Sequence, residues 1–255
     1  MMREYFWDAL IFPFFEKNGI KNFLIFLILS AIGSGIAVLF RDNQIIYWII
    51  TIIVIIYSFG FLTILAHNKI QSKEEIIPKW NDFRGFFISG FFAAGIALIY
   101  SITIFLIIHF LSIYVVGRLL AFTVNYPIPA LISFYTVIYL EKSTPLFLFL
   151  FLPIVYVLYA QNLKSSEAFR LIKIFSLVFR NIPVLLLMYL NLGILSLPYM
   201  LSREVTKGIK WNVAVDIPDT IIDLYVLASI VYLSASYGRE LLIKEKILKT
   251  IDQQP

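Results

Sequence analysis

Cysteine does not occur among the 255 residues, and histidine occurs only twice. The first absence excludes disulfides, thiolate catalysis, iron–sulfur clusters and cysteine-based zinc sites. The two histidines, His67 and His109, are expected at opposite faces of a membrane, so no paired metal site can be built from them. Charge is scarce too, at 15% of residues, where soluble domains carry about a quarter. No phosphate-cradling Gly-rich loop, HExxH, GxSxG or pair of loop carboxylates with a histidine occurs. On this reading the chain is not an enzyme and calls for no cofactor.

Hydrocarbon is what the sequence has in excess. Hydrophobic residues make up 60% of the chain, and its mean hydropathy is +0.88. A helix needs about 20 apolar residues to cross the hydrocarbon core of a bilayer. Six runs meet that test: 22–40, 45–66, 86–116, 145–163, 181–202 and 220–238. No segment outside them is long enough to bury a core of its own. The expected fold is therefore an all-α integral membrane protein, multi-pass in the cell membrane. It comprises an interfacial segment at 1–21, six transmembrane helices over 22–238 and a basic tail at 239–255.

The formal charge of +5 would suggest nucleic acid in a soluble protein. Here Lys and Arg sit at the ends of the apolar runs, where they orient the chain and meet anionic headgroups. Six spans with the N-terminus inside leave only Arg41, Arg118, Lys142, Arg203, Lys207 and Lys210 outside, six of 21 basic residues. Both termini are expected to be cytoplasmic. Segment 119–140 is uncharged and long enough to cross, but Pro127 and Pro129 interrupt it. Counting it as a crossing would also turn the basic stretch 164–180 outward. It is read as a re-entrant or interfacial segment.

Acidic Glu4 and Asp8 interrupt the N-terminus, and no small-residue cleavage site follows, so the first span is expected to remain in the mature protein. Tyr5, Phe6, Trp7, Phe12, Phe14 and Phe15 crowd this stretch as an interfacial aromatic belt does, with Pro13 breaking a short surface helix.

Between the second and third runs lies GFLTILAHNKIQSKEEIIPKWNDFRGFFISG, residues 60–90. Its Pro-x-Trp-x-Asp core followed by a Gly-containing helix resembles the prokaryotic multi-pass membrane proteins grouped as domain of unknown function 4013. The matching positions are Gly60, Pro78, Trp80, Asp82, Phe83 and Gly90. A weaker match is SEAFRLIKIFSLVFRN, residues 166–181. The resemblance implies a topology and no reaction. Lys79 and Asn81 stand where the family often has acids, so no role for negative charge in this loop is implied. Physically, Pro78 sets a turn, Trp80 suits headgroup depth, and Asn81 or Asp82 can cap the next helix.

Few other residues carry chemistry. Asp219 and Asp223, four apart near the start of the last run with Asp216 close by, can draw a cation or relay a proton at an outer mouth. The plainer reading places Pro218 at a helix start, with the acids meeting its dipole. His109 is read as interfacial. Asn191, Gln161 and Asn162 are expected to bond between helices, and small-residue pairs such as Ala31/Gly35, Gly33/Ala37 and Gly90/Ala94 to let helices approach closely. Ser166, Arg170, Lys173 and Arg180 mark a basic amphipathic helix on the inner leaflet. These features favour a non-enzymatic scaffold that binds membrane lipids or another membrane or cytoplasmic protein, with no nucleic acid. A small-solute or ion transporter using Asp219 and Asp223 is the alternative.

Overall fold

Backbone amides in a chain this apolar have few partners but one another, and a helix satisfies them within a single segment. A computed structural model describes residues 2–16, 18–122, 144–206 and 213–245, and among the described residues every regular element is helical. Helix α1 (Met2–Ile11) leads through a 3-10 turn (Phe12–Phe14) to α2 (Gly19–Leu39), α3 (Gln44–Ile70) and α4 (Phe83–Phe122). Then come α5 (Thr144–Asn162), the single turn α6 (Ser165–Ala168), α7 (Leu171–Arg180), α8 (Ile182–Thr206) and α9 (Val213–Lys244).

Among the described residues, four stretches are long and apolar enough to cross a membrane: Gly19–Leu39, Gln44–Ile70, Phe83–Val115 and Thr220–Lys244. A fifth arises if α7 and the 182–197 part of α8, bent by 86° at their junction, count as one. The expected runs at 22–40, 45–66, 86–116, 181–202 and 220–238 fall on α2, α3, α4, α8 and α9 respectively. The run at 145–163 coincides with α5. Of the expected 119–140 segment, the first four residues continue α4, while Pro127 and Pro129 lie outside the described residues.

Pro13 falls in the 3-10 turn that ends α1, as its locked φ and missing amide dictate. At the other end of the chain the helix starts earlier than the proline suggests. Helix α9 begins at Val213, so Pro218 lies in its second turn and Asp219 and Asp223 lie beyond the first. The helix dipole fades within one turn, so it does not account for Asp223.

The chain divides into two compact units, residues 1–94 with 155–255, and residues 95–154. In the first, α9 is the hub, packing against α1, α2, α3 and α8. Phe26 and Phe61 stack at 3.9 Å between α2 and α3, and Phe86 meets the Phe61 ring edge-on at 5.5 Å. Polar side chains in this core point at other helices. Ser30 and Ser58 hydroxyls bond across α2 and α3 at 3.2 Å, Tyr156 donates to Thr63 at 3.0 Å, and Tyr159 donates to the Ser89 carbonyl at 3.1 Å. Asn191 of α8 donates to the Tyr237 hydroxyl of α9 at 2.7 Å, the interhelical role its sequence position suggests.

Helices α3 and α4 approach until backbone meets backbone. A Cβ at Gly60 would lie 1.8 Å from the Phe86 carbonyl oxygen, and one at Gly90 would lie 1.9 Å from that of Ile56. Only glycine fits there, which gives two of the motif positions a steric reason. Gly33 plays a similar part on α2, where a Cβ would meet Val54 of α3 at 2.5 Å.

Outward-facing side chains are largely apolar. On α3, Ile45, Trp48, Ile49 and Ile52 are exposed, as are Phe87, Phe91 and Phe92 on α4. Burying such a side chain is worth about 1.5–3 kcal/mol, so in water this surface forgoes much of the hydrophobic stabilisation. Within the second unit, α4 likewise shows Leu98, Ile102, Phe105 and Phe110, and the His109 ring stacks on Phe105 at 5.8 Å.

Because its Cβ would collide with a carbonyl that cannot swing away, Gly60→Ala is expected to destabilise the fold by about 1–3 kcal/mol. Gly90→Ala should behave alike. Gly95, which has nothing within 4 Å of a Cβ, is the control. Thermal unfolding in detergent, followed by circular dichroism, should show lower midpoints for the first two and none for Gly95→Ala.

Candidate functional site

A cluster of hydrogen-bonded polar side chains gathers where α3 ends. The helix stops in a Schellman motif: Ser72 N–H bonds the Lys69 carbonyl at 3.2 Å and Lys73 N–H that of Asn68 at 3.0 Å, with Ser72 in the left-handed region at φ 51°. Its last turn carries His67, Asn68 and Lys69, and each is tied to a different neighbour. His67 Nδ1 donates to the Ala160 carbonyl of α5 at 2.7 Å. Asn68 donates to the Ile76 carbonyl at 3.1 Å and accepts from Lys73 Nζ at 2.9 Å. Lys69 Nζ reaches α9, donating to the Tyr232 hydroxyl at 2.6 Å and lying 4.2 Å from the centre of that ring. Phe12 stacks on Tyr232 at 4.9 Å. Gln71 then bonds the Gln161 carbonyl at 2.6 Å.

A carboxylate closes this cap. Glu16, just ahead of α2, accepts from the backbone N–H groups of Ile76 at 2.6 Å and of Ile77 at 3.1 Å. It pins the 71–82 loop to the N-terminal segment. Burial pushes its pKa above the ordinary 4.5 by more than the two amides pull it down, with the Glu75 charge adding to the rise.

The loop motif follows directly. Ile77 and Pro78 are buried, while Lys79 and Trp80 are exposed. Asp82 is the N-cap of α4: its Oδ1 accepts from the Gly85 N–H at 3.1 Å and its carbonyl from that of Phe86 at 3.0 Å. The Trp80 ring meets Phe83 edge-on at 6.1 Å, and Phe83 stacks on Tyr57 of α3 at 5.9 Å. Pro78, Trp80, Asp82 and Gly90 thus belong to one stretch, where the loop is turned, capped and locked onto α3.

Asp219 and Asp223 lie apart from this cap, on α9 nine residues or more before Tyr232. Asp223 is half-buried, and the side chain of Asp219 lies outside the described residues. Among the described residues no group of three or more His, Cys, Asp or Glu side chains could hold a metal ion.

Two anchors escaped the sequence reading. Glu16 is an isolated acid in an aromatic segment, and its partners are backbone amides 60 residues away, which leave no mark in composition. In sequence Lys69 reads as one more basic residue at the end of an apolar run, yet it is drawn back onto α9. A clue existed in the second case: Lys69 directly follows a long apolar run, where an amphipathic side chain folds its stem along the helix.

A folded pKa above the ordinary value sets the sign of a pH effect. The stability that Glu16 contributes through protonation is complete below pH 4.5 and is lost as pH rises through the raised folded value. The melting temperature should therefore fall with pH across that window more steeply in the wild type than in Glu16→Gln. The variant should also speed amide exchange at Ile76 and Ile77.

A family model matches residues 44–202 and carries the description "Protein of unknown function (DUF4013)". The match runs from the start of α3 into α8, taking in the loop motif, Gly60, Gly90 and the 166–181 segment; Glu16, Asp219 and Asp223 fall outside it. No curated protein and no solved structure matches the chain. Spanning well over half of the sequence, the match shows that this chain belongs to the family of proteins of unknown function DUF4013.

Proposed function

We propose that the chain is an integral membrane protein of the cell membrane with six spans and both termini cytoplasmic, acting as a non-enzymatic scaffold that binds membrane lipids or a further protein. The observation that carries this is how its polar groups are used. Inside the first unit they bond helix to helix, as with Ser30 and Ser58, Tyr156 and Thr63, or Asn191 and Tyr237. Outside, the long helices offer hydrocarbon. A core knitted in this way holds a shape in lipid, and among the described residues these polar groups are spent on one another. Among the described residues, the capped loop offers a protein partner exposed Trp80 beside Lys79 and Glu75, which pair at 3.7 Å.

One observation favours the transport reading instead. Asp223 lies within a long apolar helix, past the turn where a helix dipole would explain it. Ionisable side chains in such positions commonly serve ion or proton pathways.

The absence of cysteine makes the topology directly measurable. Single cysteines replacing Lys73, Lys164 and Lys244 should react from the cytoplasmic side alone with an impermeant maleimide; reaction of any of them from the outer side would break the six-span arrangement. Native mass spectrometry of the protein drawn from its own membrane should then reveal a stoichiometric protein partner, lost in Trp80→Ala while insertion is unchanged. A protein that emerges alone counts against the scaffold. In that case reconstituted vesicles should show a pH-dependent flux that Asp223→Asn abolishes.

A further inference from the structure

Helix α7 divides its circumference three ways. Ile174, Leu177 and Val178 are buried against the protein. Ile172, Phe175 and Phe179 fall within one sector of about 60° and are exposed, Ile172 at 89%. Arg180 and Lys173 occupy the arc between these faces. At its C-terminal end the chain turns by 86° into α8. The turn is fixed by buried Asn181, which donates to the Leu177 carbonyl at 3.1 Å and to Glu245 at 3.3 Å and accepts from Lys244 at 3.2 Å. At the other end buried Glu167 holds Arg170 at 3.1 Å and Lys173 at 3.2 Å.

We infer that α7 is an in-plane lipid anchor: its Ile172, Phe175 and Phe179 face enters the acyl region of the leaflet while Arg170 and Arg180 bind anionic phospholipid headgroups. The proposal rests on the membrane reading above. If α8 crosses the bilayer, a right-angle turn fixed at Asn181 lays α7 along the surface. An amphipathic helix in that plane buries its apolar face beneath the headgroups, with its cations at their level. The charge fits that occupant. Residues 164–180 carry Lys164, Arg170, Lys173 and Arg180 against the single acid Glu167, and both arginine side chains stay more than half exposed while paired. A guanidinium offers five N–H donors in a planar fork, so one edge can remain on a carboxylate while the other takes a phosphate. A protein partner for this face would need acids of its own placed at both arginines, whereas an anionic leaflet presents phosphates along the whole helix.

Nitroxides on single cysteines test the inference in nanodiscs of phosphatidylcholine with and without phosphatidylglycerol. The labelled variants are Phe175→Cys and Phe179→Cys, with Ile52→Cys on α3 and Lys79→Cys in the loop as references. The α7 labels should relax with oxygen and be shielded from a water-soluble nickel chelate, as at Ile52. A nickel response like that of Lys79 overturns the lipid anchor while Ile52 upholds the membrane reading, and shielding from both reagents overturns it in favour of a covering protein. Nickel access at Ile52 would sink the membrane reading itself. Enrichment of phosphatidylglycerol around the protein should fall about two- to five-fold for each arginine removed in Arg170→Gln and Arg180→Gln; unchanged enrichment overturns the headgroup role.

Discussion

Contact between backbones at Gly60 and Gly90 sets how the rest of the first unit is arranged. With no side chain between them, α3 and α4 come close enough for the Phe86 ring to lie against Phe61 and Tyr57. The Ser89 carbonyl comes within reach of Tyr159 on α5. In lipid, where apolar side chains gain nothing from meeting one another rather than acyl chains, close packing and hydrogen bonds are the forces left. A glycine pair supplies the first and gives access to the second. The loop that precedes α4 is held to the same geometry, because Asp82 caps the helix whose second turn carries Gly90.

The polar cap answers a different demand. A helix end leaves carbonyls without intrahelical partners, and a connection as long as 71–82 adds amides of its own. Side chains settle part of this demand: Glu16 of the N-terminal segment takes two loop amides, Asn68 of α3 takes the Ile76 carbonyl and holds Lys73, and Gln71 crosses to the Gln161 carbonyl of α5. Lys69 points the other way, onto the ring and hydroxyl of Tyr232. Trp80 is exposed beside this framework because the backbone beneath it is already held.

How much of this the sequence displayed depends on the range of the interaction. Apolar length identified the helices, since length and composition are local, and the glycine spacing hinted at close crossings. Asp82 stood one residue before the helix it caps. Pro218 misled because the helix it was expected to open already runs from Val213. The 166–181 stretch read as one amphipathic helix, but a break after Ala168 lets Glu167 fold inward to meet Arg170 and Lys173. Glu16, the seat of Lys69 on Tyr232 and the bond from Asn181 to Glu245 join residues 60 or more apart, which no local pattern records. Their meaning resides in the fold.

Helix α1 packs on α9, and the Leu10 carbonyl accepts the hydroxyl of Tyr225, 215 residues further along the chain. During synthesis, therefore, α1 finds this seat only after α9 has been made. Until then its Phe12 ring has no Tyr232 to stack on, and the growing chain carries an undocked aromatic arm past every intermediate. A chain cut short before α9 therefore leaves α1 without the helix it packs on.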